Sequence, residues 1–290
     1  MKSLNDKFIS KLKFPPEIIT YFERLGEYKG KEDLFRKQSP DILEKLLESA
    51  VVQSTESSCR IEKIVAPHHR IEKIVKSNSK PKNRSEQEIA GYKDVLNIIH
   101  QSHKDIPINE NIILQFHSML YRYSTKKSGS WKTGENLLID IYPNGSKKLR
   151  LKTVSAFETP RFIAEITTLM NKILNEDKYP DILLIALFIL DFLCIHPFSD
   201  GNGRISRLLT LLLLYKAGFK IGKYISLERI VEESKDQYYD TLLLSSQKWD
   251  KGKHDVFPWL NYFLGILISA YKEFEERVGV FEGKSTKTEQ

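Results

Sequence analysis

Cysteine is almost missing from this chain: Cys59 and Cys194 are the only two in 290 residues. Two thiols so far apart make no disulfide framework and no zinc cluster, so a reducing compartment is expected, with the cytoplasm as the default. Long apolar runs are missing as well. The strongest two, DILLIALFILDFLCI (residues 181–195) and LLTLLLLYKAG (residues 208–218), fall short of the roughly 20 residues that a membrane span needs, and Asp191 interrupts the first. The opening MKSLNDKFISKLKF lacks the continuous apolar stretch of a signal peptide. No known nucleic-acid-binding module is present, so the net charge of +7 reads as a solvated lysine-rich surface rather than a nucleic-acid footprint.

What remains is abundant helical periodicity. SPDILEKLLESAVVQ, RSEQEIAGYKDVLNIIHQ, NENIILQFHSMLYRY and TPRFIAEITTLMNKIL each space their apolar residues for one helical face. The exception is ENLLIDIYPNGSKKLRLKTV, where two runs of β-formers flank a Pro-Asn-Gly-Ser turn and Asn144–Gly145 supplies the positive φ of a tight hairpin. The expected fold is therefore all-α with one β-hairpin. The Ser-, Asn-, Pro- and Lys-rich stretch at residues 76–86 divides an N-terminal helical extension (1–85) from a core (86–272). A polar tail (273–290) follows, its end GKSTKTEQ expected to be disordered. RIEKIV occurs twice, at residues 60–65 and 70–75, a period too short for a solenoid unit.

The chemistry concentrates in HPFSDGNGRISR, residues 196–207, a polar turn between the two apolar runs. Pro197 ends the preceding helix and fixes His196 at its terminus. Gly201, Asn202 and Gly203 permit backbone N–H groups to converge where the next helix begins, an anion-binding nest suited to phosphate. Arg204 and Arg207, three apart, share a face in the first turns of that helix. The helix dipole disfavours cations there unless a polyanion is bound. Asp200 would repel that polyanion unless a divalent cation such as Mg²⁺ lay between. A base, a metal ligand, an anion cradle and two arginines form a phosphoryl-transfer constellation. His100 and His103 have no acidic or cysteine partners and read as surface residues, His117 reads as a core or supporting residue, and Phe198 reads as a core anchor for the turn.

This dodecapeptide resembles the signature of Fic (filamentation induced by cAMP) proteins, His-Pro-Phe-x-Asp/Glu-Gly-Asn-Gly-Arg-x-x-Arg, at every defined position. Residues 109–123 and 129–145 resemble the helix and hairpin flap that precede it in that family, and SKDQYYDTLLLSS resembles its downstream tyrosine-bearing helix. The resemblance implies a Fic-type helical bundle and transfer of AMP from ATP to a Ser, Thr or Tyr hydroxyl of a target protein. By the same resemblance His196 is the general base and Asp200 the Mg²⁺ ligand. Gly201, Asn202 and Gly203 cradle phosphate, Arg204 and Arg207 reach the outer phosphates, and Tyr238 and Tyr239 contact the nucleotide. The flap holds the target by strand pairing, with Thr153, Val154 and Ser155 near the nucleotide. Members with an N-terminal extension carry an inhibitory helix, Ser/Thr-x-x-x-Glu-Gly/Asn. Ser58 and Glu62 match it, with Lys63 departing from the last position, and the match implies that Glu62 withholds Arg207 from the γ-phosphate. Removal of AMP, transfer of another nucleotide, a nucleotide-binding regulatory role and a homo-oligomeric state stay open at this stage.

Overall fold

The computed structural model describes residues 2–38, 40–141 and 147–285. Its helices run in chain order: α1 (Asp6–Ile9), α2 (Pro16–Gln38), α3 (Pro40–Ile61), α4 (His68–Ser77), α5 (Arg84–Ser102) and α6 (Glu110–Leu120). After a strand pair come α7 (Thr159–Glu176), α8 (Asp181–Ile195), α9 (Asn202–Lys216), a short 3₁₀ turn, α10 (Leu227–Glu233), α11 (Lys235–Ser246) and α12 (Phe257–Ser285). The strands β1 (Leu137–Ile141) and β2 (Lys147–Lys152) pair antiparallel, Leu137 opposite Lys152 and Ile141 opposite Lys147, with the register broken between Leu138 and Ile139. The expected Asn144–Gly145 turn lies outside the described residues.

The bundle is built around α8. Every side chain from Ile182 to Ile195 is buried, which is why its sequence reads as an uninterrupted apolar run rather than one stripe. α7, α9, α11 and α12 surround it. The single carboxylate inside it, Asp191, is fully buried and accepts hydrogen bonds from Ser3 N–H, Ser3 Oγ, Leu4 N–H and Trp249 Nε1. The start of the described chain is thereby tied to the central helix.

Three features differ from the sequence-based expectation. Residues 78–83 do connect two helices, but α3 packs on α5 and α10, and α2 on α12. The extension and the core therefore share one interior, because α3 has buried residues along its whole length from Leu43 to Ile61. The last helix passes position 272 and runs to Ser285, with Phe274 and Val278 buried; apolar residues at helical spacing inside a charged stretch extend the packed face. Residues 283–285 of the expected disordered end belong to this helix, and residues 286–290 lie outside the described ones. His100 and His103 are not surface residues. Both rings lie against Tyr215 of α9, with centroids 5.6 and 5.5 Å away, and burial lowers the pKa of His100 to about 3. Lys216 donates to the carbonyls of His103, Lys104 and Ile106, closing the C-terminal end of α5 over them.

Candidate active site

α8 stops where Pro197 forbids its continuation. His196 caps it in the left-handed conformation (φ 53°, ψ 63°) while its N–H still bonds Phe192 O at 2.9 Å. A non-glycine residue held there stores strain of order 1–3 kcal/mol, which the surrounding turn must overcome. Asn202 supplies the clamp. Its Oδ1 accepts from Phe198 N–H at 2.9 Å and its Nδ2 donates to Phe198 O at 2.7 Å, so its side chain is spent on closing the turn. Phe198 is fully buried and stacks on His117, centroids 3.8 Å apart, with Trp131 beyond.

His196 Nδ1 faces Leu193 O at 3.4 Å. A carbonyl only accepts, so Nδ1 carries the proton and Nε2 keeps its lone pair. Burial pushes the pKa of the imidazole down to about 4, and the ring is neutral near pH 7.

Gly201 begins α9 with φ 83°, a value that glycine adopts without strain. The first backbone bond into the helix is Ile205 N–H to Gly201 O, so the N–H groups of residues 202–204 precede the helical ladder and face an anion site. Gly203 fulfils a second requirement: a Cβ there would collide with Glu62 Oε1. The carboxylate of Glu62 thus lies against the mouth of the nest, where an anion is favoured.

Arg207 is buried, and its guanidinium is held from α3. Nε donates to Ser58 Oγ at 2.8 Å, and Nη2 donates to Ser58 O at 2.9 Å and to Glu62 Oε1 at 3.0 Å. Tyr238 packs beside it, buried, with Tyr239 edge-on at 5.2 Å. Lys63, which departs from the glycine or asparagine of the inhibitory pattern, adopts φ 62°. Ile64 N–H bonds back to Cys59 O at 3.0 Å, and α3 ends there as the pattern requires.

Arg204 behaves differently from Arg207. Its guanidinium is completely buried, 2.8 Å from Glu88 Oε2, and donates from Nη2 to Tyr121 OH at 2.7 Å. In this conformation it braces the turn from inside rather than reaching outward toward phosphate. Asp200 keeps its carboxylate half-exposed, pairs with Lys126 and accepts from Gly201 N–H at 2.7 Å. Its pKa is about 2, the surrounding cations overcoming its desolvation. Among the described residues no cluster of three or more His, Cys, Asp or Glu side chains is placed to hold a metal. A lone carboxylate beside an anion nest fits Mg²⁺, which takes one or two protein carboxylates and completes its shell from substrate phosphates and water.

Thr153 and Val154 are buried and Ser155 Oγ accepts from Glu158 N–H at 3.2 Å. These three side chains serve the foot of the strand pair and the start of α7 rather than lining an open cleft. Glu88, Tyr121, Lys126, Lys132 and Asn136 escaped the sequence reading; each lies over 60 residues from the turn, and no local spacing marks it.

The fold and the turn together define a helical protein whose buried central helix ends in a histidine-bearing, glycine-rich turn. Residues 107–214 match the model of the Fic/DOC family. A Fido domain-containing protein of Dictyostelium discoideum is 34% identical over 91 residues, 31% of this chain and 59% of that protein, so the similarity spans less than two thirds of this relative. Among solved structures, a Fic family protein from Desulfovibrio desulfuricans covers 91% of this chain and 76% of its own at 20% identity, TM-score 0.72. A Fic domain-containing signaling protein from Bacteroides thetaiotaomicron covers 89% and 98% at 19% identity, TM-score 0.70. Fic-1 from C. elegans covers 92% and 73% at 17% identity, TM-score 0.68. At these identities the structures speak for the fold, and they extend the likeness well beyond the family-matched segment.

Proposed function

We propose that the chain is a protein adenylyltransferase that moves AMP from ATP to a Ser, Thr or Tyr hydroxyl, restrained in the observed conformation by Glu62. The observation that carries this reading is the pair of contacts made by Glu62: its carboxylate both bonds Arg207 and stands at Gly203, at the mouth of the anion nest. A carboxylate in that position is itself an anion in a phosphate site, and it neutralises the arginine that an outer phosphate would need.

In the active conformation the N–H groups of residues 202–204 and Arg207 hold the phosphates, and Asp200 holds Mg²⁺, which would supply charge neutralisation on the phosphate oxygens. His196 Nε2 takes the proton of the target hydroxyl as that oxygen bonds to the α-phosphorus. The bond from the α-phosphorus to its bridging oxygen breaks, and pyrophosphate leaves. β1 and β2 would hold the target segment by strand pairing.

Incubating the protein with α-labelled ATP, Mg²⁺ and cell extract tests the proposal. A 100-fold restraint corresponds to about 2.7 kcal/mol in favour of the closed state, within reach of a largely buried, charge-assisted Arg–Glu contact. Glu62→Gly is expected to raise labelling by about 10–100-fold, and Glu72→Gly, from the other copy of RIEKIV, to leave it unchanged. His196→Ala is expected to lower labelling by about 10²–10⁴ with ATP binding retained. Loss of labelling in a folded Glu62→Gly protein would overturn the inhibitory role and point to AMP removal with Glu62 as a participant.

A further inference from the structure

Lys132 precedes the strand pair and is 3% exposed. Its Nζ donates to Thr153 Oγ1 at 2.9 Å, just after β2, and to Ile195 O at 3.1 Å, the last residue of α8. Its backbone N–H donates to Pro197 O at 2.9 Å, and Asn136 Nδ2 donates to Phe198 O at 2.7 Å. The Thr153 hydroxyl passes its own proton to Asn136 O at 2.8 Å. Both feet of the strand pair are thereby stitched to the backbone of residues 195–198, and the ammonium is the knot.

Among the described residues Lys132 forms no ion pair; Glu135, on its own segment, is the acidic group that favours its charge. Burying an ammonium without a contacting carboxylate costs stability that a methionine of similar length would not. The contribution of the charge must then lie at the site rather than in the fold. Through Ile195 O it is held one residue from His196 and opposes a positive charge on the imidazole, whereas Glu62, just past α3, and Asp200 in the turn favour one.

We propose that Lys132 is a positioning residue: its ammonium locks the strand pair to the end of α8 and sets a positive charge one residue from His196. This rests on the adenylyltransferase reading only in its kinetic consequence. Desolvation lowers Lys132 itself to about 8; the neutral amine keeps two N–H donors for Thr153 Oγ1 and Ile195 O, so the alkaline side removes the charge and weakens both bonds.

The test uses Lys132→Met, Lys132→Arg and Thr153→Val in the full chain. In nucleotide-free protein, NMR titration of the His196 ring is expected to give a pKa near 4 in the wild type and Lys132→Arg, and a value about half a unit or more higher in Lys132→Met. Amide exchange at residues 137–141, 147–152 and 195–198 is expected to quicken about tenfold in Lys132→Met and Thr153→Val. In the transfer assay, wild-type activity should fall as pH rises through about 8, a limb that Lys132→Arg removes because arginine keeps its charge. An unmoved His196 titration with unchanged exchange would overturn the proposal, as would an alkaline limb that survives in Lys132→Arg. A lysine with only a structural role would lower the melting temperature and quicken exchange, but would leave the His196 titration and the alkaline limb of activity unmoved. Should Lys132→Met not fold, Lys132→Arg and Thr153→Val decide the matter. Absence of AMP transfer in the wild type would sink the adenylyltransferase reading alone, since titration and exchange need no nucleotide.

Discussion

Lys63 shows how one residue sets the geometry of the restraint. To turn the chain away just past Glu62, at the end of α3, the backbone must pass through the left-handed region, and a lysine does so at a cost of roughly 1–2 kcal/mol relative to right-handed backbone. Lys63→Gly removes that strain, partly offset by the greater freedom of glycine in the unfolded chain. The expected net gain is about 0.5–1 kcal/mol in urea unfolding, with Glu62 still on Arg207 and basal labelling no higher than wild type. At Arg204 the sign reverses. Removing Glu88 leaves a fully buried guanidinium with Tyr121 OH and, at 4.0 Å, the half-exposed Asp200 carboxylate as its partners, and Glu88→Gln or Glu88→Leu should destabilise by about 3–5 kcal/mol. A loss under 1 kcal/mol would show that Arg204 finds solvent or another acceptor.

At the scale of elements, two of the contacts that join the N-terminal segments to the core helices make clear predictions. The first is the capture of Asp191, on α8, by Ser3 and Leu4. Removal of residues 2–5 leaves that carboxylate buried with Trp249 as its remaining donor, and a loss of about 3–5 kcal/mol is expected. Ser3→Ala keeps both backbone donors and should cost about 1–2 kcal/mol. The second is Arg70 of α4 on Glu86 of α5, 2.7 Å apart with both side chains largely buried. The arginine holds Glu86 at about 2 against an ordinary 4.5. A depressed folded pKa means stabilisation that is complete above pH 4.5 and fades as pH falls through 2. Acid unfolding of wild type should therefore be steeper in this window than that of Arg70→Met, as followed by far-UV circular dichroism.

The molecule as a whole should unfold in one step. α3 delivers Ser58 and Glu62 to Arg207 while its other faces pack on α5 and α10, so the restraint cannot be detached as a separate domain. A fragment of residues 86–272 would lose the partners of Arg207 and Asp191 and the Phe274 and Val278 anchors of α12. It is expected to lack a cooperative thermal transition, where the full chain shows a single one by calorimetry; two resolved transitions in the full chain would contradict this. No helix among the described residues is long and apolar enough to cross a membrane, which agrees with the short apolar runs in the sequence.

Local chemistry explains what was legible in the sequence by itself. Helical periodicity marked most helices, Pro197 marked the end of α8, and the glycines at 201 and 203 with His196, Asp200 and Arg207 marked the anion turn, because each effect acts within a few residues. Glu62 was legible only through the likeness of Ser58 and Glu62 to a family pattern, not through any local effect. Long-range packing decided the rest. Only the tertiary structure turned Arg204 inward onto Glu88, buried His100 and His103 on Tyr215, carried α12 past residue 272 and fused the extension to the core. It alone brought Lys132 onto Ile195 O and Ser3 onto Asp191. A buried charge is placed by whichever partner the fold brings within about 3 Å, and separations of 60 to 190 residues leave no periodicity to read.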